Sequence, residues 1–522
     1  MKKRLIFLAT VITFITGMAF AQWTTDFGKN TQITPAGLPF DENEVVTNKD
    51  GVTYIFFITN KMNETLSMRL QIIDKDGNKV MERGGKIISQ EANKVWSAYN
   101  QHLALDKDGQ AFVGVQDFRT DPDSKLNTYT IYKYAPDGRQ LWDGTVLNSG
   151  KGFAMQAGLS ICAIDDGGCI CAYMYRDDNA QKDCIAIERL DKDGNSIWQK
   201  TAVETTYKST PYPFVTKSDG DNALLTYIYE SSSLKTKLID GNGESLTEED
   251  ETVFNGGLAS PKLWDVIKVV SGPANGAIIT CMDANFNSAF VYVRSNGKTA
   301  FDSKPGGIIL NDGNYGGAQP AVAYISGDNT FACAYQQFDK DDPNTQGLYM
   351  KRYTTDGQAL PEGNIEVAAM QNGDMYSFYS VQDAGNGNAA LFYQKLDGAT
   401  KAVNSLLDIY DAGGKKTCGT IQFTETPTKK VNLKSSAMID GEYFLTSWDE
   451  ERNGTTSIFM QKVTPETGTG IDAATTDEDG SPVSEEIFSI TGSKVSKAGR
   501  GVNIIRTTLS NGKTTARKVV VR

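Results

Sequence analysis

The sequence is poor in the residues that build metal centres and catalytic triads. It has a single histidine, His102, which excludes a site with several histidine ligands and leaves any Ser/His/Asp triad one candidate base. His102 opens an alternating apolar segment, and we interpret it as a structural residue. No two cysteines have CxxC spacing, and Cys169 and Cys171 would share one strand face, a poor geometry for zinc. We therefore predict no metal site and no cofactor.

The cysteine count is low and odd. Seven cysteines leave at least one thiol unpaired, even in an oxidising compartment. If the intervening Asp-Gly pair forms a hairpin turn, Cys162 faces Cys171 and a cross-strand disulfide is one interpretation. The alternative is that Cys171, together with Cys281 and Cys333 of other repeats, fills a small apolar position on a buried strand.

Long apolar runs are absent after the N-terminus. Residues 1–21 combine three basic residues, an apolar run and an Ala-Phe-Ala end, the pattern of a cleaved signal peptide. We predict that the mature chain begins near Gln22 and leaves the cytoplasm. No later stretch is apolar enough to span a bilayer, so no transmembrane segment is predicted.

Basic residues are outnumbered by acidic ones. The formal net charge is −12, and it becomes about −15 when the three basic residues of the signal peptide are removed. This balance disfavours nucleic acid or an anionic membrane as the main partner. It favours solubility first and a cationic partner only second.

Long amphipathic helices are also absent, and a strand–turn–strand pattern recurs eight times instead. Its glycine turns lie about 50–60 residues apart, close to the size of one four-stranded propeller blade. Period-two alternation and enrichment in Tyr, Ile, Val and Phe favour strands. We predict an all-β, eight-bladed β-propeller over residues 22–470. The turns are Asp76-Gly77, Asp137-Gly138, Asp193-Gly194, Asn242-Gly243, Asn296-Gly297, Asp356-Gly357, Gly413-Gly414 and Thr467-Gly468.

The two ends of the repeat array predict how it closes. The eighth repeat reaches Val463 and a glycine turn but lacks a fourth strand. The segment that begins Gln22-Trp23 resembles the fourth-strand segments around Trp142 and Trp198. We expect the N-terminal strand to complete the last blade and close the ring. Two packed β domains of four repeats each remain the alternative.

Several repeats resemble one found in many secreted bacterial propeller-like proteins. That repeat has an apolar strand ending in Trp, a nearby Asp and Arg, and then an alternating strand with Gln. Trp448, Asp449, Arg452, Phe459 and Gln461 match this pattern. The resemblance implies a scaffold and no single activity.

The last residues form a separate short module. Residues 471–484 are acidic, small and Pro-containing, which indicates a linker, and residues 485–522 are basic with three strand-like segments. The tail is similar to the C-terminal sorting domain of the type IX secretion system of Bacteroidota. The resemblance implies a β-sandwich-like sorting module, a partner in the secretion machinery, and a secreted or cell-surface location. The matching sorting residues are Gly492, Gly501, Gly512, Lys513 and Lys518.

Propeller topology predicts where a ligand-binding face would lie. The loops between second and third strands emerge on the same face as the loops that join blades. The first set carries carboxylates, which accept hydrogen bonds, and the second carries aromatic rings, which stack on sugars or anchor side chains. The candidate ligand-binding residues are Trp96, Tyr99, Tyr212, Trp264, Tyr315, Tyr376, Asp121, Asp177, Asp341 and Asp449.

These patterns favour a non-enzymatic binding protein whose ligand is a glycan, a peptide or a surface partner. The first alternative is a carbohydrate-active enzyme, because two carboxylates suffice for glycoside cleavage. A pair of convergent, partly buried carboxylates in a central pocket would favour that enzyme. The second alternative is a structural adhesion component, favoured by a flat face without pockets.

Overall fold

The chain is built from antiparallel β-strands. The computed structural model describes residues 23–24, 26–35, 38, 42–59, 66–91, 101–121, 126–147, 156–230, 232–259, 267–301, 307–465, 482–489, 494–495, 497, 501–509 and 514–521. Within these ranges a short 3-10 turn lies at Pro273–Asn275. The fold is therefore all-β and propeller-like, in agreement with the alternating sequence pattern.

The described part of residues 31–463 forms eight antiparallel sheets that follow one another along the chain. Sheets 1 to 4 contain β2 (Glu42–Thr47), β3 (Thr53–Thr59), β4 (Leu66–Ile73), β5 (Lys86–Glu91); β6 (Leu103–Leu105), β7 (Ala111–Asp121), β8 (Leu126–Tyr134), β9 (Gln140–Val146); β10 (Gln156–Ala163), β11 (Cys169–Asp177), β12 (Lys182–Leu190), β13 (Ser196–Thr206); and β14 (Pro213–Lys217), β15 (Ala223–Tyr229), β16 (Ser233–Ile239), β17 (Glu251–Phe254).

The remaining four sheets repeat this order with two variations. The first strand of sheet 6 is divided into two pieces that both pair with the next strand, and sheet 8 takes its outer strand, β1 (Thr31–Gln32), from the N-terminus. Sheets 5 to 8 contain β18 (Ile267–Ser271), β19 (Ala277–Met282), β20 (Ser288–Val293), β21 (Ile308–Ile309); β22 (Tyr315–Gly317), β23 (Ala321–Ile325), β24 (Thr330–Asp339), β25 (Thr345–Thr354), β26 (Ile365–Asn372); β27 (Met375–Asp383), β28 (Ala389–Leu396), β29 (Val403–Tyr410), β30 (Ile421–Gln422); and β31 (Lys430–Ser435), β32 (Phe444–Arg452), β33 (Thr455–Val463), β1.

The predicted Asp-Gly turns join the third and fourth strands. In sheet 3, Asp191 Oδ1 accepts the backbone N–H groups of Asp193 and Asn195 at 2.9 and 2.8 Å. Gly194 has φ of 85°, and a Cβ there would lie 2.9 Å from the ring of Trp142. The Asp191 carboxylate therefore stabilises its own hairpin turn by accepting two backbone N–H bonds. The seven described turn glycines have positive φ: Gly77, Gly138, Gly194, Gly243, Gly297, Gly357 and Gly414.

Two fourth-strand tryptophans join neighbouring sheets. Trp142 Nε1 of sheet 2 donates to the Lys192 carbonyl in sheet 3, and Trp198 Nε1 of sheet 3 donates to the Gly241 carbonyl in sheet 4, each at 2.9 Å. Both carbonyls occupy the same position of the Asp-Gly turn. Both rings therefore pack between neighbouring sheets.

Buried side chains fill the space between successive sheets. Each of seven hydrophobic clusters among the described residues contains strands of neighbouring sheets. One cluster joins sheet 8 to sheet 1 through Leu445, Ile458, Ile55 and Phe57, with Ile33 of the N-terminal segment among them. The apolar core is therefore distributed around the whole array, and the first and last sheets share part of it.

The N-terminal segment bridges the last sheet and the first. In β1, Thr31 lies opposite Met460 of β33 in an antiparallel ladder. Trp23 lies before this strand, and its Nε1 donates to the Lys75 carbonyl of sheet 1 at 2.9 Å. This is the contact that the two fourth-strand tryptophans make elsewhere.

The prediction of where the N-terminal pairing begins is wrong in detail. The ladder starts at Thr31 and not at Trp23, because side chains hold the preceding residues in place. Gln461 Nε2 donates to the Thr24 carbonyl at 2.6 Å, and Asn30 Nδ2 donates to Gln461 Oε1 at 2.8 Å. These bonds attach the segment before the backbone ladder begins.

The cysteines and the histidine are packing residues. All seven cysteines lie within the described residues and are free thiols, and Cys162 pairs with Ile170 and not with Cys171. The disulfide interpretation is therefore wrong, and the buried-strand alternative is confirmed. His102 is 5% exposed and stacks on Phe56 with ring centroids 4.1 Å apart, which agrees with a structural role.

The described C-terminal strands form one separate sheet. Its order is β35 (Lys494–Val495), β34 (Pro482–Ser489), β36 (Gly501–Leu509) and β37 (Thr514–Val521). A sandwich-like module would need a second layer, and these strands form only one. Gly501 opens β36 and Lys518 lies in β37, as predicted, whereas Gly492, Gly512 and Lys513 lie outside the described residues.

Candidate functional site

The predicted loop residues occupy several different environments. Trp96, Tyr99 and Trp264 lie outside the described residues, and Asp121 ends β7 with its side chain also outside them. Asp177 ends β11 and accepts the N–H groups of its own turn at Asn179 and Ala180, at 3.0 and 2.9 Å. Asp341 is exposed.

The described aromatic candidates are mostly buried. Tyr212 is 3% exposed and packs against Gly158, where a Cβ would lie 2.7 Å from the ring. Tyr376 is 4% exposed and belongs to the cluster between sheets 6 and 7, and Tyr315 is half-buried in β22. The rings of Tyr212 and Tyr376 therefore offer little surface for stacking on a ligand.

Asp449 lies inside a strand and not in a loop. The second strand of sheet 8 continues to Arg452, and Asp449 is 4% exposed within it. Its oxygens accept bonds from Asn43 at 2.8 Å and Asn432 at 2.6 Å. Burial raises the pKa of Asp449, and the two amide bonds only partly offset this effect.

The family-like motif of sheet 8 is used for internal packing. Trp448 is 1% exposed and donates through Nε1 to Glu450 Oε2 at 2.9 Å. Arg452 Nε donates to the other Glu450 oxygen at 2.8 Å, and its guanidinium lies 4.0 Å from the ring centroid of Phe459. These residues therefore make contacts within sheet 8 and contribute to its internal packing.

The first strands of the sheets line a cavity, which we call the inner cavity. One part, of about 820 Å³, is lined by residues of β2, β6, β10, β14, β18 and β31. A second part, of about 480 Å³, is lined by residues of β18, β23 and β27. Lys268, Val270 and Ser271 border both parts, so the two adjoin at β18. These volumes are typical of small-molecule sites.

Hydrogen bonds link many of the first strands around this inner cavity. Most of them join a side chain of one sheet to a backbone N–H or C=O group of the next sheet, so these backbone groups have hydrogen-bond partners. The bonds are His102 N to Glu44 Oε2 at 2.6 Å, Ile161 N to Gln101 Oε1 at 2.8 Å, Val215 N to Ser160 Oγ at 3.0 Å, Ser380 Oγ to Ser435 Oγ at 2.7 Å, and Lys434 Nζ to the Asn43 carbonyl at 2.8 Å.

Glu44 and Lys434 bring opposite charges to one side of the inner cavity. Burial raises the pKa of Glu44 to about 7, although the N–H of His102 and the charge of Lys434 act in the other direction. Burial likewise lowers the pKa of Lys434, which Asp449 and Glu44 partly offset. At neutral pH, Glu44 is therefore a mixture of its acid and its carboxylate.

Lys268 faces the inner cavity from sheet 5. Its side chain is exposed within the cavity, and the surrounding walls desolvate the ammonium and lower its pKa. The charge of Lys268 also lowers the pKa of Lys434, so the two ammonium groups act on each other. The inner cavity thus holds a carboxyl with a raised pKa and two amines with lowered ones.

The sequence pattern missed these inner-cavity residues. Among the described candidates, Tyr212 alone lines the cavity. Glu44, Lys268 and Lys434 each lie in the first strand of a repeat. In β18 the charge of Lys268 stands among apolar residues, which is a usable signal, whereas β2 and β31 contain several other polar residues and do not single out Glu44 or Lys434.

No metal-binding cluster is present among the described residues. No group of three or more His, Cys, Asp or Glu side chains in those ranges is arranged to hold an ion. Within the same ranges, no helix is long and apolar enough to cross a membrane.

Comparisons with known proteins identify no family. No family model and no curated protein match the chain. Among solved structures, acylaminoacyl peptidase from Pyrococcus horikoshii aligns at 11% identity and TM-score 0.39, covering 81% of this chain and 60% of its own. The chain therefore spans less than two thirds of that peptidase.

Two further solved structures align over most of their own lengths. The β-propeller domain of the Trilobed protease from Pyrococcus furiosus aligns at 9% identity and TM-score 0.37, covering 75% of this chain and 97% of that domain. The polysaccharide lyase Uly1 aligns at 9% identity and TM-score 0.39, covering 87% of this chain and 94% of its own. At such values these likenesses define neither a family nor an activity for this chain.

Proposed function

We propose that this protein is an exported binding protein in which the eight sheets form one closed propeller and the ligand occupies the inner cavity. The observation that carries the proposal is the cavity itself, which the first strands of all eight sheets line. Its ligand is a glycan, a peptide or part of a surface partner. Binding in a rigid cavity needs preorganised polar groups and no nucleophile.

Three contacts support closure into a ring. Trp23 bonds to a turn of sheet 1 as the fourth-strand tryptophans bond to the next sheet along the chain. Leu445 and Ile458 of sheet 8 share a cluster with Ile55 of sheet 1. Lys434 of sheet 8 also donates to the Asn43 carbonyl of sheet 1. Each is a contact that two separate four-repeat domains would not need.

A screen of the full chain against glycan and peptide arrays tests binding in the inner cavity. Ser271 is exposed and borders both parts of the cavity, so Ser271→Trp should fill the space and abolish binding. Thr252→Trp places the same side chain at an exposed position of the outer strand β17 and is the matched control. A ligand that binds wild type and Ser271→Trp equally would place its site elsewhere and contradict the proposal.

Export by the type IX secretion system is the second part of the proposal, and it rests on the signal peptide pattern and the tail resemblance. Deletion of Glu485–Arg522 should trap the protein in the periplasm of a host that carries this machinery. Deletion of residues 471–480, which removes predicted linker only, is the control and should not affect export. Fractionation and immunoblotting measure both, and unchanged secretion without the tail would falsify this part.

A carbohydrate-active enzyme is the second candidate, and the acid–base state of the inner cavity favours it. Glu44 lines the cavity with a pKa of about 7, and burial raises the pKa of Asp449 on the neighbouring sheet. A carboxyl of this kind can serve as a general acid or base. A panel of glycoside substrates tests the candidate, and activity that disappears in Glu44→Gln would establish it in place of simple binding.

A further inference from the structure

Two phenylalanines are exposed at backbone positions that disfavour large side chains. Phe286 is 53% exposed with φ of 61°, and Phe378 is 41% exposed with φ of 48°. A positive φ brings the Cβ of an L-residue close to the following carbonyl oxygen and is uncommon for bulky residues. Neither burial nor backbone preference therefore explains a phenylalanine at these two positions.

Phe286 takes a position that other turns of this chain give to glycine. It lies in the turn between β19 and β20, in which Asp283 Oδ1 accepts two backbone N–H groups, each at 2.8 Å. Asp191 accepts two N–H groups in the same way in the turn of Gly194. Glycine adopts this conformation without steric cost, so the turn itself does not require an aromatic ring.

Phe378 likewise takes a position that two other sheets give to glycine or asparagine. It lies in β27 at a bulge, where the register with β28 shifts between Ser377 and Ser380. The first strands of sheets 3 and 8 have the same bulge, with Gly158 at φ of 68° and Asn432 at φ of 59°. Bulges of this kind favour such residues. Sheet 7 therefore presents an exposed aromatic ring where sheets 3 and 8 do not.

Both phenylalanines adjoin the second part of the inner cavity. The Phe286 carbonyl accepts the N–H of Gly317 at 2.6 Å. Gln319 lines that part of the cavity, and its carbonyl accepts the hydroxyl of Tyr379 at 2.9 Å. Tyr379 follows Phe378 in the chain and lines the same part. Because two residues span at most about 7 Å, Phe286 and Phe378 lie beside the same stretch of the cavity border.

The second part of the inner cavity offers mostly neutral hydrogen-bonding side chains, among them Ser271, Thr280, Ser380 and Gln382. Thr280 is 4% exposed, and its Oγ1 has no hydrogen-bond partner among the described residues. A buried hydroxyl of this kind gains a bond when a ligand supplies the partner. Neutral hydroxyl and amide groups beside aromatic rings match the hydroxyls and the apolar ring faces of a sugar.

We propose that Phe286 and Phe378 form an aromatic platform at the border of the inner cavity, on which a neutral oligosaccharide stacks while its hydroxyls bond to the lining. This inference rests on the proposed function and names its ligand class. Residues in strained backbone conformations cluster at ligand sites, where the surrounding structure holds them in place before the ligand arrives. The positive φ of both exposed rings fits this role.

Calorimetric titration of the full chain with neutral hexasaccharides of glucose, xylose, mannose and N-acetylglucosamine tests the assignment. At least one should bind, and Phe286→Gly and Phe378→Gly should each weaken its binding about ten-fold, as the loss of an aromatic anchor does. Both variants should melt at temperatures no lower than wild type, because glycine adopts a positive φ without steric cost. Leu246→Gly changes a residue that is 52% exposed beside a turn of sheet 4, and it should leave the affinity unchanged.

The remaining outcomes separate this inference from the proposed function. Binding that Ser271→Trp abolishes but neither phenylalanine variant weakens would reject the aromatic platform and leave the cavity as the site. Binding of none of the four hexasaccharides, with an array peptide or acidic glycan that Ser271→Trp abolishes, would reject only the neutral-sugar class. Hexasaccharide binding that is unaffected by Ser271→Trp would reject the cavity as the site and both proposals with it.

Discussion

At the scale of single residues, the inner wall changes the acid–base behaviour of its carboxyls. Glu44 on β2 faces Lys434 of β31 and accepts the backbone N–H of His102 from sheet 2. Asp449 of β32 and Lys268 of β18 influence the same Lys434. The N–H of His102 and the charge of Lys434 favour the carboxylate of Glu44, but burial outweighs them. It raises the pKa of Glu44 from an ordinary value of 4.5 to about 7.

The raised pKa of Glu44 predicts a pH-dependent stability. Between pH 4.5 and about 7 the folded chain keeps the proton of Glu44, which the unfolded chain has released. Protonation of Glu44 therefore contributes to the free energy of unfolding fully below pH 4.5, and this contribution is lost as the pH rises through about 7. Glu44→Gln should therefore be more stable relative to wild type at pH 8 than at pH 5, by about 1–3 kcal/mol. Denaturant unfolding at both pH values measures this difference. Glu248→Gln, at an exposed site, is the control, and an equal difference at both pH values would contradict the prediction.

At the scale of strands and turns, cations on third strands fasten one sheet to the next. Lys133 pairs with Asp106 of its own sheet at 2.8 Å and donates to the Gly167 carbonyl of sheet 3 at 2.7 Å. Arg352 of sheet 6 pairs with Asp328 at 3.1 Å and donates to the Gly387 carbonyl of sheet 7 at 2.8 Å. Each cation thus connects two hairpin turns that are distant in sequence.

Removal of one such cation should destabilise the protein strongly. Arg352 is 1% exposed, and Arg352→Met leaves Asp328 and a turn carbonyl without this donor, so we expect a loss of about 3–4 kcal/mol. Arg139→Met is the matched control, because its pair with Asp137 is exposed, and its stability should equal that of wild type. Chemical denaturation measures both variants. Similar stability of the two variants would show that the buried contacts of Arg352 contribute little to the free energy of unfolding.

At the scale of the whole molecule, the proposed closure makes the N-terminal segment part of the core. Ile33 is 1% exposed and packs among residues of both sheet 1 and sheet 8. If these sheets form one closed ring, the loss of this contact should affect the unfolding of the entire array.

Ile33→Ala should lower the free energy of unfolding by about 2–4 kcal/mol, since it leaves a cavity at the junction. The transition should remain single in calorimetry. Ile309→Ala, at a position 41% exposed on β21, is the control and should have little effect. Two separate transitions, with only one shifted, would favour independent halves and count against closure.

The repeat architecture could be predicted from the sequence because its signals are local. Asp-Gly pairs specify hairpin turns, and alternation specifies strands, so the sheets around Gly194 and Gly243 lie where expected. The junction of the N-terminal segment with the last repeat followed from the similarity of Trp23 to Trp142 and Trp198. Its strand began eight residues later than expected because side-chain bonds, which have no periodicity, hold the preceding residues.

The inner cavity could not be predicted from the sequence, because residues from distant parts of the chain form it. Glu44, Lys268 and Lys434 come from sheets 1, 5 and 8, and the bonded residues Asn43 and Lys434 are 391 positions apart. Local patterns fix the direction of a side chain within its own strand, but the packing of the sheets determines which side chains line the same cavity. The shifted pKa values arise from burial at that cavity. The sequence by itself therefore specifies the strands and turns, whereas the packing of the sheets creates the charged cavity.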